Sequence, residues 1–472
     1  MTIFILLRNN GLKIMESWDR CRMKKCYKKT GILLFWLAVW QLLAVCVGND
    51  LLMVTPWAVL KTLVMDLGKR EFWFAVAGST GRISLGFLLG VTTAVFLSGL
   101  CVRVPWLEAF FSPVMTLVKS VPVASFAVLL LIWWGSSGLA TAISFLVTLP
   151  ILYLNLLQGL KNTDKKMLEM AAVFRMSFRN RFFYLYRPAI KPFVESALKL
   201  ALGMCWKSGV AAEVIGTPAH SIGERMYLSK IYLDTAGVFA WTGVVIGVSI
   251  FFEKMVLFLA KQFFSHSPGC RMVSFPGQVS ADQREVLLQC RKLQKTFHGE
   301  QIIRDYSKDF KKGETIFFTS PSGSGKTTLF RILCGLEQAD GGNVDNAGVR
   351  FSCCFQEDRL CEEYSAIQNV AMVTGDAEKA GEALEKLLPA DVLKLPCSSL
   401  SGGMKRKVAV VRAMEAESDC VILDEPYTGQ DVQSRQETAN YIVNAKRGRL
   451  LLIATHSDPE KEEESFLLKV ST

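Results

Sequence analysis

Histidine is scarce in this sequence, and its cysteines lack the spacing of a metal site. Of 472 residues, only four are histidine and thirteen are cysteine. Cys21 and Cys26 have no partner pair and no nearby histidine, and Cys353 and Cys354 are adjacent. Since a structural zinc site needs two suitably spaced pairs, a zinc module is excluded. Most of the cysteines lie in apolar segments or in the charged C-terminal half, so we expect reduced thiols that pack as small hydrophobic groups.

The first 30 residues have few acidic side chains and no signal-peptide cleavage motif. Eight Lys and Arg residues accompany only Glu16 and Asp19, directly before the first apolar run. A basic flank of this kind stays in the cytoplasm beside a membrane helix, and without a cleavage motif we expect no removable signal peptide. The net charge of +11 at pH 7 therefore indicates a membrane flank, and no nucleic-acid partner is expected.

Apolar and charged residues are segregated along the chain. Half of all residues are hydrophobic, apolar runs dominate residues 31–262, and charge is dense after residue 285. A helix needs about 20 apolar residues to cross a bilayer. The third apolar run is short, and extending it backwards includes Lys119 and Pro122, which must then face the bundle interior. About six spans are predicted, in the segments 31–48, 72–100, 121–134, 137–158, 192–215 and 236–260.

Charge in the loops predicts the orientation of these spans. With the N-terminus inside, residues 159–191 lie in the cytoplasm and hold eight Lys and Arg residues against Asp164 and Glu169. The opposite loop, residues 216–234, is balanced in charge, as the positive-inside rule requires. Six spans also return the C-terminal half to the cytoplasm. We therefore expect a multi-pass protein of the plasma membrane, in contact with the lipid bilayer.

A stretch rich in glycine and serine predicts a phosphate-binding loop. Residues 320–328 lie between a strand-like run, Thr315–Phe318, and an apolar helical pattern. They fit G-x-x-x-x-G-K-[ST], except that Ser320 replaces the first glycine. Backbone N–H groups of such a turn bind phosphates, Lys326 reaches the terminal phosphates, and the Thr327 hydroxyl suits Mg²⁺. The ATP-binding residues predicted here are Ser320, Ser322, Gly323, Ser324, Gly325, Lys326, Thr327 and Thr328.

Further motifs follow the phosphate-binding loop in a fixed order. An apolar strand ends in Asp424 and Glu425, two carboxylates suited to holding Mg²⁺ and to orienting an attacking water. The other motif positions are Phe297 upstream of the loop, Gln356, the Leu-Ser-Gly-Gly-Met run at 400–404, Asp431 and His456. In this order they resemble the motifs of ABC-type ATPases over residues 285–465. Arg406 and Lys407 stand where that family commonly has Gln and Arg.

The resemblance implies a role for each matching residue. Phe297 would stack on adenine, and Gln356 would sense Mg²⁺ and the γ-phosphate. The catalytic residues would be Glu425 and His456, and the Mg²⁺ ligands would be Thr327, Gln356 and Asp424. In this family the nucleotide lies between the phosphate loop of one ATPase and the signature of another, which implies a homodimer. The remaining ATP-binding residues implied are Ser401, Gly402, Gly403 and Asp431.

The basic cytoplasmic loop contains Glu-Met-Ala-Ala at residues 169–172, with Pro188 further along. This segment resembles the E-A-A loop of ABC importer permeases, whose short helix docks on the ATPase. The family glycine is Arg175 here, so the turn is expected to differ. The residues implied in coupling are Glu169, Ala171, Ala172 and Pro188. Trp206, Glu213 and Gly216 also resemble permeases of the sulfonate, nitrate and taurine importers.

The predicted fold is an all-α polytopic membrane domain followed by an α/β P-loop ATPase domain. The expected boundaries are 1–30 for the basic segment, 31–262 for the permease, 263–284 for a linker rich in Pro, Gly and Ser, and 285–472 for the ATPase. The leading hypothesis is an ATP-hydrolysing importer of a small anion such as a sulfonate, taurine or nitrate, delivered by a separate extracytoplasmic binding protein. Three alternatives remain: import of a thiamine-precursor pyrimidine or similar metabolite, an ABC exporter half-transporter, and a membrane-tethered regulatory ATPase.

Overall fold

The computed structural model describes residues 30–265, 285–319 and 323–455, except the single positions 33, 50, 298 and 347. Nearly all of the basic segment, most of the predicted linker, Ser320, Ser322 and His456 lie outside the described residues. The chain divides into two compact units. The first comprises the residues up to Gln158 together with Phe193–Phe263, and the second comprises Gly159–Pro192 together with the residues from Phe264 onwards.

Helices form the whole of the first unit in the part of the chain that the structure describes. Their bounds are α1 Thr30–Val47, α2 Pro56–Leu67, α3 Arg70–Arg103, α4 Pro105–Ser120, α5 Val123–Lys161, α8 Arg187–Gly216, α9 Ile222–Ile231 and α10 Thr235–Ser265. Among the described residues, four helices are long and apolar enough to cross a membrane: α1, α3, α5 and α10. Helix α8 covers the predicted fifth span, carries Lys199, Lys207 and Glu213, and is not among the four. The number of six spans therefore stays a prediction.

The region of the third and fourth predicted spans is interrupted twice. Helix α4 ends at Ser120 and α5 begins at Val123, because Pro122 lacks an N–H group and holds Val121 in an extended conformation. The second interruption is at Gly135, which has φ 67° and ψ −177° inside α5. Glycine tolerates this backbone conformation because it has no side chain. The sequence allowed the break at Pro122 but did not predict the one at Gly135.

A buried carboxylate ties three helices of the first unit together. The Ser79 hydroxyl donates to Oε2 of Glu213 over 2.5 Å, and Nε of Arg82 donates to Oε1 over 3.1 Å. The backbone N–H of Gly223 donates to Oε2 over 3.4 Å, and the N–H of Ile222 donates to the Ser79 hydroxyl over 2.8 Å. Since a buried carboxylate is stable only when it is paired and hydrogen-bonded, this network fixes the start of α9 against α3 and α8.

Two β-sheets organise the second unit. Strands β1 Val286–Phe297, β2 Glu300–Lys311 and β4 Gly341–Asp345 form an antiparallel sheet in the order β2-β1-β4. Strands β3 Thr315–Phe318, β5 Phe351–Cys354, β6 Cys420–Asp424 and β7 Leu450–Ala454 form a parallel sheet in the order β3-β7-β6-β5. Every residue of β5, β6 and β7 is buried, which is typical of parallel strands covered on both faces. The predicted fold class is therefore confirmed.

The helices of the second unit include a segment from the basic loop. This segment contains α6 Lys165–Val173, α7 Phe178–Arg181 and a π-helical turn, Phe182–Tyr186. The other helices are α11 Lys326–Leu333, α12 Ala366–Thr374, α13 Ala377–Glu385, a 3₁₀ turn at Cys397–Ser399, α14 Gly402–Glu415 and α15 Val432–Ala445. Met170, Ala171 and Phe174 belong to the same hydrophobic core cluster as Leu333 and Ile422. Residues 159–192 therefore pack as part of the unit that contains the parallel sheet.

Candidate active site

The parallel sheet brings the phosphate loop and the acidic pair to the same edge. Phe318 at the end of β3 and Asp424 at the end of β6 both pair with Ala454 of β7. The N–H of Glu425 donates to the carbonyl of Ala454 over 3.0 Å. Ligands of parallel sheets commonly bind at the carboxyl ends of the strands. Thr327, one of the predicted ATP-binding residues, hydrogen-bonds Asp424 at this edge.

The described part of the phosphate loop has the backbone conformation that its glycines allow. Gly323 has φ 85° and Gly325 has φ 89°, both in the left-handed region. A Cβ atom at Gly325 would also lie 2.7 Å from Cγ2 of Ile302, so a side chain is excluded there by space as well. Helix α11 begins immediately afterwards at Lys326. Its first N–H groups have no acceptor within the helix and are suited to an anion.

Thr327 and Asp424 form a pair of oxygen ligands beside this helix start. The Thr327 hydroxyl donates to Oδ2 of Asp424 over 2.8 Å, and Asp424 is only 4% exposed. Burial raises the pKa of Asp424 above its usual value, and the hydrogen bond from Thr327 opposes that shift. Gln356 lines the same cavity, of about 140 Å³, together with Thr327 and Asp424. Hydroxyl, amide and carboxylate oxygens are ligands that Mg²⁺ prefers, so these three residues fit the ion.

Glu425 has an unusual backbone conformation. Its φ of 56° lies in the left-handed region, which is strained for a residue with a side chain. The Thr428 hydroxyl donates to Oε2 of Glu425 over 3.2 Å. The carboxylate is therefore held beside Asp424 by a local contact, at the position that the sequence analysis predicts for the catalytic group.

The signature and Asp431 lie at the starts of two neighbouring helices. Ser401 caps α14, with its hydroxyl accepting from the N–H of Met404 over 3.3 Å, and Asp431 caps α15 by accepting from the N–H of Ser434 over 2.7 Å. A Cβ atom at Gly403 would lie 2.7 Å from the carbonyl oxygen of Gly429, so the two loops touch through their backbones. Gly402 is exposed. The cavity that contains Thr327 and Asp424 is not lined by these residues.

Phe297 lies at the end of β1 and is 36% exposed. The Lys295 ammonium lies 5.1 Å from the centre of its ring, a cation–π contact. Asp340 and Glu337 hold that ammonium at 3.0 Å and 3.3 Å. One side of the Phe297 ring is therefore in contact with Lys295, whose position is held by two carboxylates. Its role in adenine stacking stays a prediction.

Glu169 joins the basic-loop segment to the phosphate-loop helix. Its carboxylate accepts two hydrogen bonds from the guanidinium of Arg331 on α11, at 2.9 Å and 3.0 Å, and one from Arg359 at 3.0 Å. Hydrogen bonding from Arg331 lowers the pKa of Glu169 below its usual value, so the carboxylate is ionised at neutral pH. Arg331 and Arg359 were missed by the sequence analysis, because nothing in the local sequence marks them as partners of Glu169.

The other predicted coupling residues occupy different environments. Ala171 is fully buried in the core cluster, whereas Ala172 is exposed. Pro188 is half-buried and lines a cavity with Leu360 and Tyr364. Arg175 has φ 47°, a left-handed conformation that glycine adopts without strain, and its guanidinium donates to the carbonyl of Val349 over 3.0 Å. Arginine thus adopts a conformation that favours glycine, and the contact with Val349 helps to hold it. That this turn differs from that of the family stays a prediction.

Comparison with known proteins identifies both halves of the chain. Residues 303–428 match the family model of the ABC transporter, and residues 83–264 match that of the binding-protein-dependent transport system inner membrane component. The aliphatic sulfonates import ATP-binding protein of Pseudomonas savastanoi pv. phaseolicola is 32% identical over 181 residues, which cover 37% of this chain and 76% of that protein. This chain belongs to the ABC transporters. It is an import transporter with a permease domain and an ATPase domain in one polypeptide, and it hydrolyses ATP.

Two further relatives of this ABC transporter come from other bacteria. An aliphatic sulfonates import ATP-binding protein of Rhodococcus jostii is 35% identical over 172 residues, covering 35% of this chain and 70% of that protein. The sulfate/thiosulfate import ATP-binding protein of Xanthomonas campestris pv. campestris is 33% identical, covering 36% of this chain and 57% of that protein. The match to a solved dimeric ATP-binding cassette with ADP and phosphate covers 39% of this chain and 90% of that chain, at 21% identity and a TM-score of 0.34.

The permease match is to an importer component, so the exporter alternative is not retained.

Proposed function

We propose that this ABC transporter imports a small anion, such as a sulfonate, taurine or nitrate, delivered by a separate extracytoplasmic binding protein. The observation that carries the import mechanism is the three-bond contact of Glu169 with Arg331 and Arg359, because it links a permease-type loop to the phosphate-loop helix. The choice of an anion is supported by the names of the relatives, which import sulfonates or sulfate and thiosulfate.

The same residues suggest how ATP hydrolysis proceeds. Lys326 and the N–H groups at the start of α11 bind the terminal phosphates. Thr327, Gln356 and Asp424 would hold Mg²⁺, which would supply positive charge to those phosphates. Glu425 orients the water that attacks the γ-phosphorus. The bond from that phosphorus to the bridging oxygen breaks, and ADP and phosphate leave. His456, Ser320 and Ser322 keep their predicted roles in this scheme.

The transported solute can be tested by reconstitution. We expect the transporter in proteoliposomes, supplied with the binding protein encoded nearest to it, to hydrolyse ATP faster when taurine, an alkanesulfonate or nitrate is loaded. The coupling free energy between two sites is typically about 1–3 kcal/mol, which is about 5- to 150-fold in affinity. Labelled uptake measures the same event directly. If a pyrimidine raised the ATPase rate and none of the anions did, the proposal of an anion would be wrong, and the transported solute would belong to the alternative class of pyrimidines and similar metabolites.

The coupling contact can be tested by reversing its charges. We expect Glu169→Arg to leave ATP binding intact and to lower substrate-dependent uptake by about 5- to 150-fold, since the arginine repels Arg331 and Arg359. Adding Arg331→Glu restores an attractive pair and recovers part of the uptake. The measurement is labelled uptake in proteoliposomes beside nucleotide binding.

The same helix offers a matched control for that experiment. Lys166 and Glu357 form an ion pair at 2.6 Å whose side chains are both more than half exposed. Exposed pairs contribute about 0–1 kcal/mol, so Lys166→Ala should leave uptake nearly unchanged. Normal uptake in the Glu169→Arg transporter would contradict a coupling role for this segment, and an equal loss in both variants would mean that the interface is merely disordered.

A further inference from the structure

Arg406 makes contacts that its position in the signature helix does not explain. It lies one turn into α14, is 2% exposed, and sends its guanidinium away from the signature loop. Its Nε donates to the carbonyl of Glu425 over 3.0 Å, and its Nη2 donates to the same oxygen over 2.8 Å and to the carbonyl of Asp424. One side chain therefore holds the backbone of both acidic residues at the end of β6.

The other nitrogen of the guanidinium binds the loop after β5. Nη1 donates to the carbonyl of Phe355 over 2.6 Å, to that of Gln356 over 3.3 Å and to Oδ1 of Asp358 over 3.1 Å. All donors of Arg406 thus point at two loops, the one that carries Gln356 and the one that carries Glu425. Among the groups that accept hydrogen bonds from Arg406, only the Asp358 carboxylate is charged, and the others are backbone carbonyls. The contacts therefore fix the geometry of the two loops as well as balancing the positive charge.

The backbone of Glu425 needs such support. Its φ of 56° is strained, and a strained residue persists only when its surroundings over-determine it. The N–H of Glu425 donates to the carbonyl of Ala454 over 3.0 Å, and the carbonyl of Glu425 accepts from two N–H groups of Arg406 and from the N–H and the hydroxyl of Thr428. Thr428 belongs to the same local turn, whereas Arg406 connects the carbonyl of Glu425 to helix α14. Without the contact with Arg406, we expect the peptide after Glu425 to shift, and the carboxylate to shift with it.

The loop at the other end of Arg406 also contacts the coupling segment. The guanidinium of Arg359 lies 3.8 Å from the centre of the Phe355 ring and donates to Glu169. Arg412, two turns along α14 from the signature, donates to the carbonyls of Asp358 and Arg359 at 2.9 Å and 2.8 Å. The backbone that Arg406 holds therefore belongs to the same loop as Arg359, which binds Glu169.

We propose that Arg406 is a positioning residue for ATP hydrolysis, which fixes the peptide of Glu425 relative to Gln356. The inference rests on the proposed role of Glu425. The groups that accept hydrogen bonds from Arg406 belong to residues 355–358 and 424–425. In this chain the planar guanidinium makes these contacts because it presents five N–H donors in a rigid fork, whereas lysine presents one ammonium on a flexible chain and glutamine presents one amide. Arg406 thus links the loop that carries Gln356 to the loop that carries Glu425, so that a shift of one loop shifts the other.

The test separates a positioning role from a structural one by its kinetic signature. We expect Arg406→Lys to lower kcat for ATP about 10- to 100-fold, while the KM for ATP changes less than about threefold, because the phosphate loop is untouched. For Arg406→Gln we expect the same fall in kcat and the same small change in KM. The matched control is Arg447→Lys, which replaces a mostly exposed arginine paired with Glu415 and should leave kcat unchanged. Thermal unfolding and binding of a non-hydrolysable ATP analogue verify that each variant is folded.

A second background shows whether Arg406 acts through Glu425. In a Glu425→Asp transporter the carboxylate is already displaced, so adding Arg406→Lys should lower the residual rate less than about threefold. An equal loss in both backgrounds, or a wild-type kcat in Arg406→Lys, overturns the proposal. Asp358→Asn keeps the carbonyl contacts of Arg406 and removes only the charge, and it should cost less than Arg406→Lys. Wild-type turnover in Glu425→Gln would instead refute the assignment of Glu425, which is a distinct outcome.

Discussion

Glu425→Gln is expected to stop turnover while ATP remains bound. Glutamine keeps the size and the contact with Thr428 but cannot accept a proton from the attacking water. Removing one group that acts only in the transition state typically costs about 10²–10³-fold in kcat, and groups that stabilise phosphoryl transfer reach about 10³–10⁵-fold. Single-turnover hydrolysis in nanodiscs, with bound nucleotide measured in parallel, gives both quantities.

The control for this variant is another Glu→Gln change in the same domain. Glu385 ends α13 and is exposed, so Glu385→Gln should hydrolyse ATP at the normal rate. Lys326→Ala provides the complementary defect, since it should lose ATP affinity rather than hydrolysis of bound ATP. Turnover within about twofold of wild type in Glu425→Gln would move the catalytic role to another residue.

Two inactive chains are expected to restore activity when they are combined. The family resemblance places the phosphate loop of one chain against the signature of another, and a chain with one of each should form a symmetric homodimer. In a mixed dimer of Lys326→Ala and Ser401→Asp, both lesions fall in one composite site and the other site is intact. We therefore expect about half of the wild-type ATPase rate from purified mixed dimers, if the sites work independently, and almost none from either homodimer.

The choice of substitution at Ser401 keeps the helix intact. Ser401 caps α14, and Asp is an equally good cap, so Ser401→Asp places a negative charge against the γ-phosphate without removing the cap. Ser401→Asn supplies the neutral control and should retain activity in the homodimer. A mixed dimer with no recovered hydrolysis would mean that the site is built within one chain, or that both sites must hydrolyse together.

The site residues that could be predicted from sequence are those whose chemistry depends on neighbours in the chain. The glycines before Lys326 and the two carboxylates after β6 are contiguous, so the pattern alone indicates a phosphate loop and an acidic pair. The parallel sheet then had to bring them together, and the pairing of β3, β7 and β6 does so. The α/β fold class followed from the same strand–loop–helix pattern.

Some contacts of the site could not be predicted, because no local sequence pattern marks the residues that make them. Glu169 and Arg331 are 162 residues apart, and a salt bridge leaves no mark on either local pattern. Most of the acceptors of Arg406 are backbone carbonyls, which every residue possesses, so its substitution for glutamine looked like a minor change to the helix. The left-handed conformation of Arg175 could not be predicted for a related reason. Arginine disfavours that conformation, and the contact with Val349 that helps to hold it is a tertiary contact.

The packing of residues 159–192 with the second unit has a consequence for biosynthesis. Met170 and Phe174 leave the ribosome well before Leu450–Ala454, which is the most C-terminal strand of the parallel sheet among the described residues. At about 5–20 residues per second, that delay is on the order of tens of seconds. During this interval helices α8, α9 and α10 are synthesised, while the apolar side chains of residues 170–174 have no complete core to enter. The order of synthesis thus makes β7 a late addition to a core that begins with residues 159–192, and the nascent chain must keep those side chains from other partners until then.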